Sequence, residues 1–209
     1  MITLPQLLAF LLAAVAITLS PGPDNLMVLG VGMSRGRRHG IAFGLGCALG
    51  CLSHTLLAVL GVSALIAASP VAFTALRVAG GLYLAWLGVQ AIRHAGQSGV
   101  GGAGTHADAS LSRLFLKGLV ANAINPKVVL FFLSFLPQFV IVKQGPVAGQ
   151  LAVLGMAFTL QAVVLFGALG WFAGTIGGWL NRTPGAGTWL DRVAGTVFVA
   201  LGIRLLVVR

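Results

Sequence analysis

The chain has 209 residues, 58% of them hydrophobic and only 8% charged, with a mean hydropathy of +1.01. Soluble domains carry about 25% charged residues, so this composition excludes an ordinary soluble domain and describes a polytopic helical membrane protein. A net charge of +10 would suggest nucleic acid in a soluble chain. Here the bases fall in short clusters between apolar runs, which marks topology and lipid contact.

Six segments are long and apolar enough for the roughly 20-residue span of a bilayer. The first runs from about Leu4 to Ser34 and ends at Arg35-Gly36-Arg37-Arg38-His39. No basic n-region precedes it and no small-residue cleavage site ends it, so it is expected to stay as a transmembrane helix. It is too long for one straight span, and Ser20-Pro21-Gly22-Pro23-Asp24-Asn25 lies inside it. Each proline removes a backbone donor and clashes with the preceding turn, and Pro23 pushes Gly22 out of the α region. The stretch therefore predicts a broken helix. Backbone freed at membrane depth is tolerated only where protein or a water-filled cavity covers it. Asp24 is the only charge in this run, and an ionisable group there points to a transport path. A kinked helix with an incidental Asp is the bland alternative.

The second span runs from about Ile41 to Ala67 and the third from about Ala72 to Ile92. A polar linker, about 94–112, follows, and its Gly-rich stretch 99–104 reads as flexible. The fourth span, about Leu114 to Val142, contains Asn125-Pro126-Lys127. The fifth runs from about Val147 to Leu180 and the sixth from about Leu190 to Val208. The linker separates two halves of one transmembrane domain, about 1–93 and 113–209, and the halves resemble each other. Arg77-Val-Ala-Gly opens the third span and Arg192-Val-Ala-Gly the sixth; proline then charge interrupts the first helix of each half, Pro23-Asp24 and Pro126-Lys127. Three spans per half invert the second half in the membrane. Inverted repeats with paired broken helices are the signature of secondary transporters, whose site lies at the repeat interface. The expected fold is thus all-α: six transmembrane helices in two inverted three-helix repeats, the first and fourth broken.

With the N-terminus outside, Arg35, Arg37, Arg38, Arg93, Arg113, Lys117, Arg182 and Arg192 face the cytoplasm. Arg77, Lys143, Arg204 and Arg209 then face out. The first set is the larger, which favours this orientation.

Lys127 is the second anchor. A Lys or Asp at a helix centre costs about 2.5–3.5 kcal/mol on insertion scales, so two such groups imply mutual pairing, a polar ligand, or both. One carboxylate and one ammonium complement a free amino acid; a structural salt bridge is the alternative. Amides freed at the half-helix starts after Pro23 and Pro126 would add anion affinity. Asn25, Asn122 and Asn125 flank the breaks, where an amide can satisfy either backbone or substrate. His54 in the second span and Gln161 in the fifth fall at corresponding places and are expected near the cavity. Cys47, Cys51 and His54 share a helical face and could offer soft metal ligands, but Cys is also an ordinary small packing residue. Gly40, Gly44, Gly46 and Gly50 read as a helix-packing seam, as do Gly170, Gly174 and Gly178. The four tryptophans read as interfacial anchors. Asp108 and Asp191, the only other acids, fall in or beside loops.

Ser20-Pro21-Gly22-Pro23-Asp24 and Asn125-Pro126-Lys127 resemble the two signatures of the LysE/RhtB family of amino-acid exporters, and the length, the six spans and the mid-chain linker match across essentially the whole chain. The resemblance implies a bacterial cytoplasmic-membrane exporter of amino acids or close derivatives, driven by the proton gradient. A metal-cation exporter of the same architecture and a membrane enzyme are the alternatives. The chain has no nucleotide-binding Gly-rich loop, HExxH or CxxC, so no enzyme and no cofactor is expected. The expected substrate-binding residues are Pro21, Gly22, Pro23, Asp24, Asn25, Asn122, Asn125, Pro126, Lys127 and Gln161, with Asp24 or His54 carrying the proton. Amino acid and membrane lipid are the expected partners, nucleic acid is not, and the oligomeric state is open.

Overall fold

The computed structural model describes residues 2–96 and 110–207, and among them every regular element is helical. The Gly-rich stretch 99–104, Asp108 and Arg209 lie outside the described residues. Helix α1, Leu4–Leu19, starts with Thr3 and Gln6 in a reciprocal capping box and ends at Ser20, where Pro21 cannot continue the hydrogen-bond ladder. Helix α2, Pro23–Arg35, restarts with proline at its first position, where the missing donor is not needed. The two are bent by 56°. Gly36, at φ +89°, turns the chain into α3, Arg37–Leu57. A π-helical turn, Ala58–Val62, joins α3 to α4, Ser63–Ala68. Ser69 caps α5, Pro70–Arg93.

The second half repeats the pattern. Helix α6, Leu111–Ala123, stops at Ile124, and α7, Pro126–Leu130, restarts with Asn125 Oδ1 accepting from Lys127 N at 3.1 Å. The continuation is irregular: π-helical over Phe131–Phe135, then 3-10 over Leu136–Phe139, where Pro137 interrupts the ladder. The bend here is 49°. Helices α8, Val147–Trp171, α9, Ala173–Arg182, and α10, Ala186–Val207, complete the chain.

The described helices contain three that are long and apolar enough to cross a membrane, Arg37–Ala68, Pro70–Arg93 and Val147–Trp171, or five if each bent pair is one span. The expected sixth span corresponds to α10, which carries Asp191, Arg192 and Arg204 and is not among the five. The expected fifth span is divided: the chain breaks at Phe172, between α8 and α9. Leu4, Leu8, Leu12 and Leu19 of α1 are exposed, while Phe10, Ala14 and Ile17 on its other face are buried. This outer apolar surface suits lipid rather than water. Trp86, Trp171, Trp179 and Trp189 are 49–62% exposed.

Helix α3 is the central strut, with α6 on one side and α8 on the other. Glycines set both distances. A Cβ at Gly46 would strike Phe115 O, and one at Gly50 would lie 2.8 Å from the Asn122 side chain. A Cβ at Gly40 would lie 3.2 Å from Gly170 Cα. The ladder of Gly170, Gly174 and Gly178 is corrected. Only Gly170 packs; Gly174 and Gly178 have open space beside them because the helix has broken at Phe172, and Gly177 meets Met33 instead. Helices α5 and α10 pack through a reciprocal pair of contacts, Gly81 with Gly202 and Gly88 with Gly195. One prediction follows directly. Gly46→Val should destabilise the fold by about 1–3 kcal/mol, the usual cost of overpacking, whereas Gly178→Ala should leave it unchanged. Thermal unfolding in detergent measures both.

An aromatic cluster joins α1, α8 and the irregular stretch after α7. Phe131 stacks on Phe135 at 5.1 Å, Phe132 meets Phe158 edge-on at 4.9 Å, and Phe10 meets Phe139 at 5.3 Å. Gln6 donates to Phe139 O, and Gln150 Nε2 donates to Ile141 O at 3.0 Å, which ties the loop after Phe139 over the cluster.

Candidate functional site

The two breaks meet. Ser20 is the last residue of the α1 ladder, and its carbonyl is left over by the proline that follows. Lys127, at the start of α7, reaches across and donates from Nζ to Ser20 O at 2.9 Å. The ammonium thus sits at the negative end of α1, where the helix dipole favours a cation, and lies 4.9 Å from the centre of the Phe198 ring. Asp24 makes the mirror-image crossing. It lies in the first turn of α2, where a carboxylate is favoured, and its Oδ2 accepts from Asn122 Nδ2 at 2.7 Å, in the last turn of α6. Each charge that follows a break therefore reaches the end of the other broken helix.

The alternative of a direct structural salt bridge is not what holds these charges. Among the described residues no ion pair joins Asp24 to Lys127; each has its own neutral partner. The expectation of free amides after Pro126 is also corrected, because Asn125 Oδ1 takes Lys127 N.

Asn122 is the hub. Besides donating to Asp24, it accepts from Cys51 Sγ at 3.5 Å through Oδ1, and its backbone carbonyl accepts from His54 Nε2 at 3.0 Å. The close approach allowed by Gly50 brings α6 near enough for these bonds. His54, Asn122 and Asp24 form one connected chain, and all three are buried. Asn25 Nδ2 donates to Thr18 O at 2.8 Å, satisfying another carbonyl released by the break. Gln161 Nε2 donates to Thr18 Oγ1 at 2.9 Å, while Gln161 Oε1 is buried with no hydrogen-bond partner. An orphaned buried acceptor of this kind is rare.

Gly22, Asp24, Asn25, Asn122, Asn125 and Lys127 line one cavity of about 20 Å3, room for about one water. Thr18, Cys51, Phe158 and Phe166 complete it. Pro23 and Pro126, counted among the expected substrate-binding residues, are exposed and line neither this cavity nor its neighbour. They stand at the first positions of α2 and α7, so they shape the breaks. Pro21 lines the neighbouring cavity, and Gln161 reaches the site through Thr18. Sequence reasoning missed Thr18, whose signal is a polar residue in the last turn before Pro21. It also missed Phe198, which nothing local in the sequence marks.

The thiols and His54 do not assemble a metal centre. Among the described residues no three of His, Cys, Asp or Glu are grouped to hold a metal ion. Cys51 and His54 instead spend their polar atoms on Asn122. The metal-exporter alternative has no support in this donor set.

Two broken helices, crossed charges and a buried polar cavity inside an apolar helical shell define a membrane transporter, not an enzyme. The chain belongs to the LysE type translocator family, whose pattern matches residues 15–209. It is 30% identical over 200 residues to a homoserine/homoserine lactone efflux protein of Salmonella typhimurium, covering 94% of each chain. It is 32% identical over 200 residues to the threonine efflux protein of Escherichia coli strain K12, covering 91% of this chain and 92% of that one. An uncharacterized membrane protein of Vibrio cholerae is 32% identical over 199 residues, 95% of each chain. No solved structure matches the chain.

Proposed function

We propose that this protein is a secondary exporter of amino acids or close derivatives across the bacterial cytoplasmic membrane, coupled to the proton gradient. One observation carries the reading: a carboxylate and an ammonium line the same buried cavity without pairing with each other. That spacing complements a zwitterion. An ammonium has three donors, and Lys127 makes one hydrogen bond, to Ser20 O. The efflux proteins among the relatives export substrates of this chemistry by name.

The architecture in this proposal is six spans in two inverted repeats. Its support is the crossed pattern at the breaks. Lys127 goes to the end of α1 and Asp24 to the end of α6. His54 of α3 bonds to the last turn of α6, and Gln161 of α8 bonds to the last turn of α1. Exchanging the halves turns each contact into its counterpart. The third and sixth spans also share the stretch Arg77-Val-Ala-Gly80 and Arg192-Val-Ala-Gly195, and α5 and α10 pack on each other. The N-terminus outside is the orientation that puts the larger set of bases in the cytoplasm.

Efflux from loaded cells across a panel of amino acids, with divalent metals as controls, tests the proposal. The expected result is gradient-dependent loss of one or more neutral amino acids, with homoserine and threonine as the leading candidates. Transport of metals alone would sink it.

A further inference from the structure

A second, larger cavity adjoins the central one at Asn25, which lines both. Its volume is about 340 Å3, within the range of small-molecule sites, roughly 300–1,000 Å3. Its walls are largely apolar: Leu26 and Leu29 of α2, Leu169 of α8, Ile176 and Leu180 of α9. The turn joining α9 to α10 and the corner at Gly96 after α5 complete its lining. Arg93, Arg182 and Arg192, all in the larger basic set, flank these segments.

Among the described residues one charge lines this cavity. Asp191 lies in α10 and is only 6% exposed. Its Oδ2 accepts from Gly96 N at 2.9 Å. Gly96 has φ +84°, and a Cβ there would strike the Thr188 hydroxyl, so glycine is what brings that N–H to the carboxylate. Among the described residues no cation pairs with Asp191. A single backbone N–H is weak compensation for a carboxylate taken out of water. If holding the corner were its whole task, a neutral Asn would accept the same hydrogen bond without the charge. A carboxylate in an apolar chamber of ligand size is suited to an arriving cation.

We infer that the chamber around Asp191 is a second substrate site, a vestibule on the basic face in which Asp191 holds the substrate's ammonium before it passes Asn25 to Asp24 and Lys127. This rests on the exporter reading and its orientation. The central cavity is too small for an amino acid as it stands, so the chamber is where a substrate first fits. Its chemistry also defines the class. Among the described residues the lining includes an acid and no base, so it recognises the amine and is indifferent to the carboxylate. Amino-acid esters are accepted with free amino acids; N-acetyl derivatives are not. With no second acid among the described lining residues, neutral side chains are preferred to lysine or arginine.

The experiment is transport into everted vesicles, where the basic face is outside, using a neutral amino acid the wild type exports and its methyl ester as competitor. Asp191→Asn should raise the half-saturating concentration of both by roughly tenfold or more, the loss of about one charge-assisted hydrogen bond. The maximal rate should change little, as expected when binding is lost before the rate-limiting step. N-acetylated substrate should compete poorly with wild type. As an independent readout, Thr188→Cys places a thiol in the chamber, and the native Cys47 and Cys51 are fully buried. Substrate should slow maleimide labelling of that thiol, and should no longer do so once Asp191→Asn is added. An unchanged half-saturation in Asp191→Asn, or labelling that substrate never slows, overturns the inference while leaving a normally exporting wild type intact. Lower maximal rate tracking lower folded protein, at unchanged half-saturation, reduces Asp191 to an anchor for Gly96 and also overturns it. A wild type that moves no amino acid overturns the exporter reading, and this inference with it.

Discussion

Lys127→Ala is expected to abolish transport while leaving most of the protein folded in the membrane. The ammonium has one tie to the protein, the 2.9 Å bond to Ser20 O, and a face toward Phe198. Removing it leaves that carbonyl without its partner, a cost of roughly 1–3 kcal/mol for a buried group. The cost is lessened because the cavity beside it admits a water. Removing the cation from a bound carboxylate is more severe. Truncating one partner of a buried charged pair costs about 2–5 kcal/mol, which is roughly thirtyfold to several thousandfold in binding. Lys127→Arg should not rescue transport. The guanidinium is planar and larger, the cavity has almost no spare volume, and a Cβ at Gly22 would already lie 3.2 Å from Lys127 Nζ. Efflux rate and the amount of folded protein, measured on the same membranes, separate the outcomes. Normal efflux by Lys127→Ala refutes the carboxylate-binding role. Disappearance of the protein would make Lys127 a structural tie between α1 and α7.

Both breaks were legible in the sequence because proline acts locally: it removes a donor at a known position, and the chain restarts at the next favourable one. The same locality let Asp24 and Lys127 be singled out, since a charge inside a long apolar run is visible without knowing its neighbours. What the charges bond to was not legible. Lys127 chooses Ser20 O over Asp24, and Asn122 serves three partners, because α6 comes within reach of α2 and α3 at a distance set by glycines on another helix. The split of the fifth span at Phe172 has no proline to announce it, and the π-helical turns at Ala58–Val62 and Phe131–Phe135 have none at their starts either. Asp191 was assigned to the edge of a loop because the apolar run begins beside it. The helix actually begins at Ala186, which carries Asp191 inward against Gly96. The gap between a loop-edge acid and a buried one is a matter of helix boundary, which hydropathy alone does not fix.

Asp24→Asn is expected to uncouple transport from the proton gradient. Among the described residues Asp24 is the only carboxylate lining the central cavity, and it is hydrogen-bonded there by the neutral amide of Asn122 rather than by a cation. In the proposed exchange the Asp24 carboxyl gives up its proton as a substrate ammonium takes its place. That exchange moves one proton against one substrate with no further titrating group. Asparagine keeps the size of the side chain and can still accept from Asn122, but it cannot carry the proton. The variant should therefore lose net efflux driven by a pH gradient, by roughly a hundredfold or more if proton release is obligatory, since each tenfold corresponds to about 1.4 kcal/mol. Exchange of labelled for unlabelled substrate should survive better, because it needs no net proton movement. His54 is the rival, connected to Asp24 through Asn122, and imidazole titrates nearest neutrality among side chains. His54→Gln separates the two. If Asp24→Asn keeps full pH-dependent efflux and His54→Gln loses it, the proton belongs to His54. Asp24 then retains only the amine of the substrate.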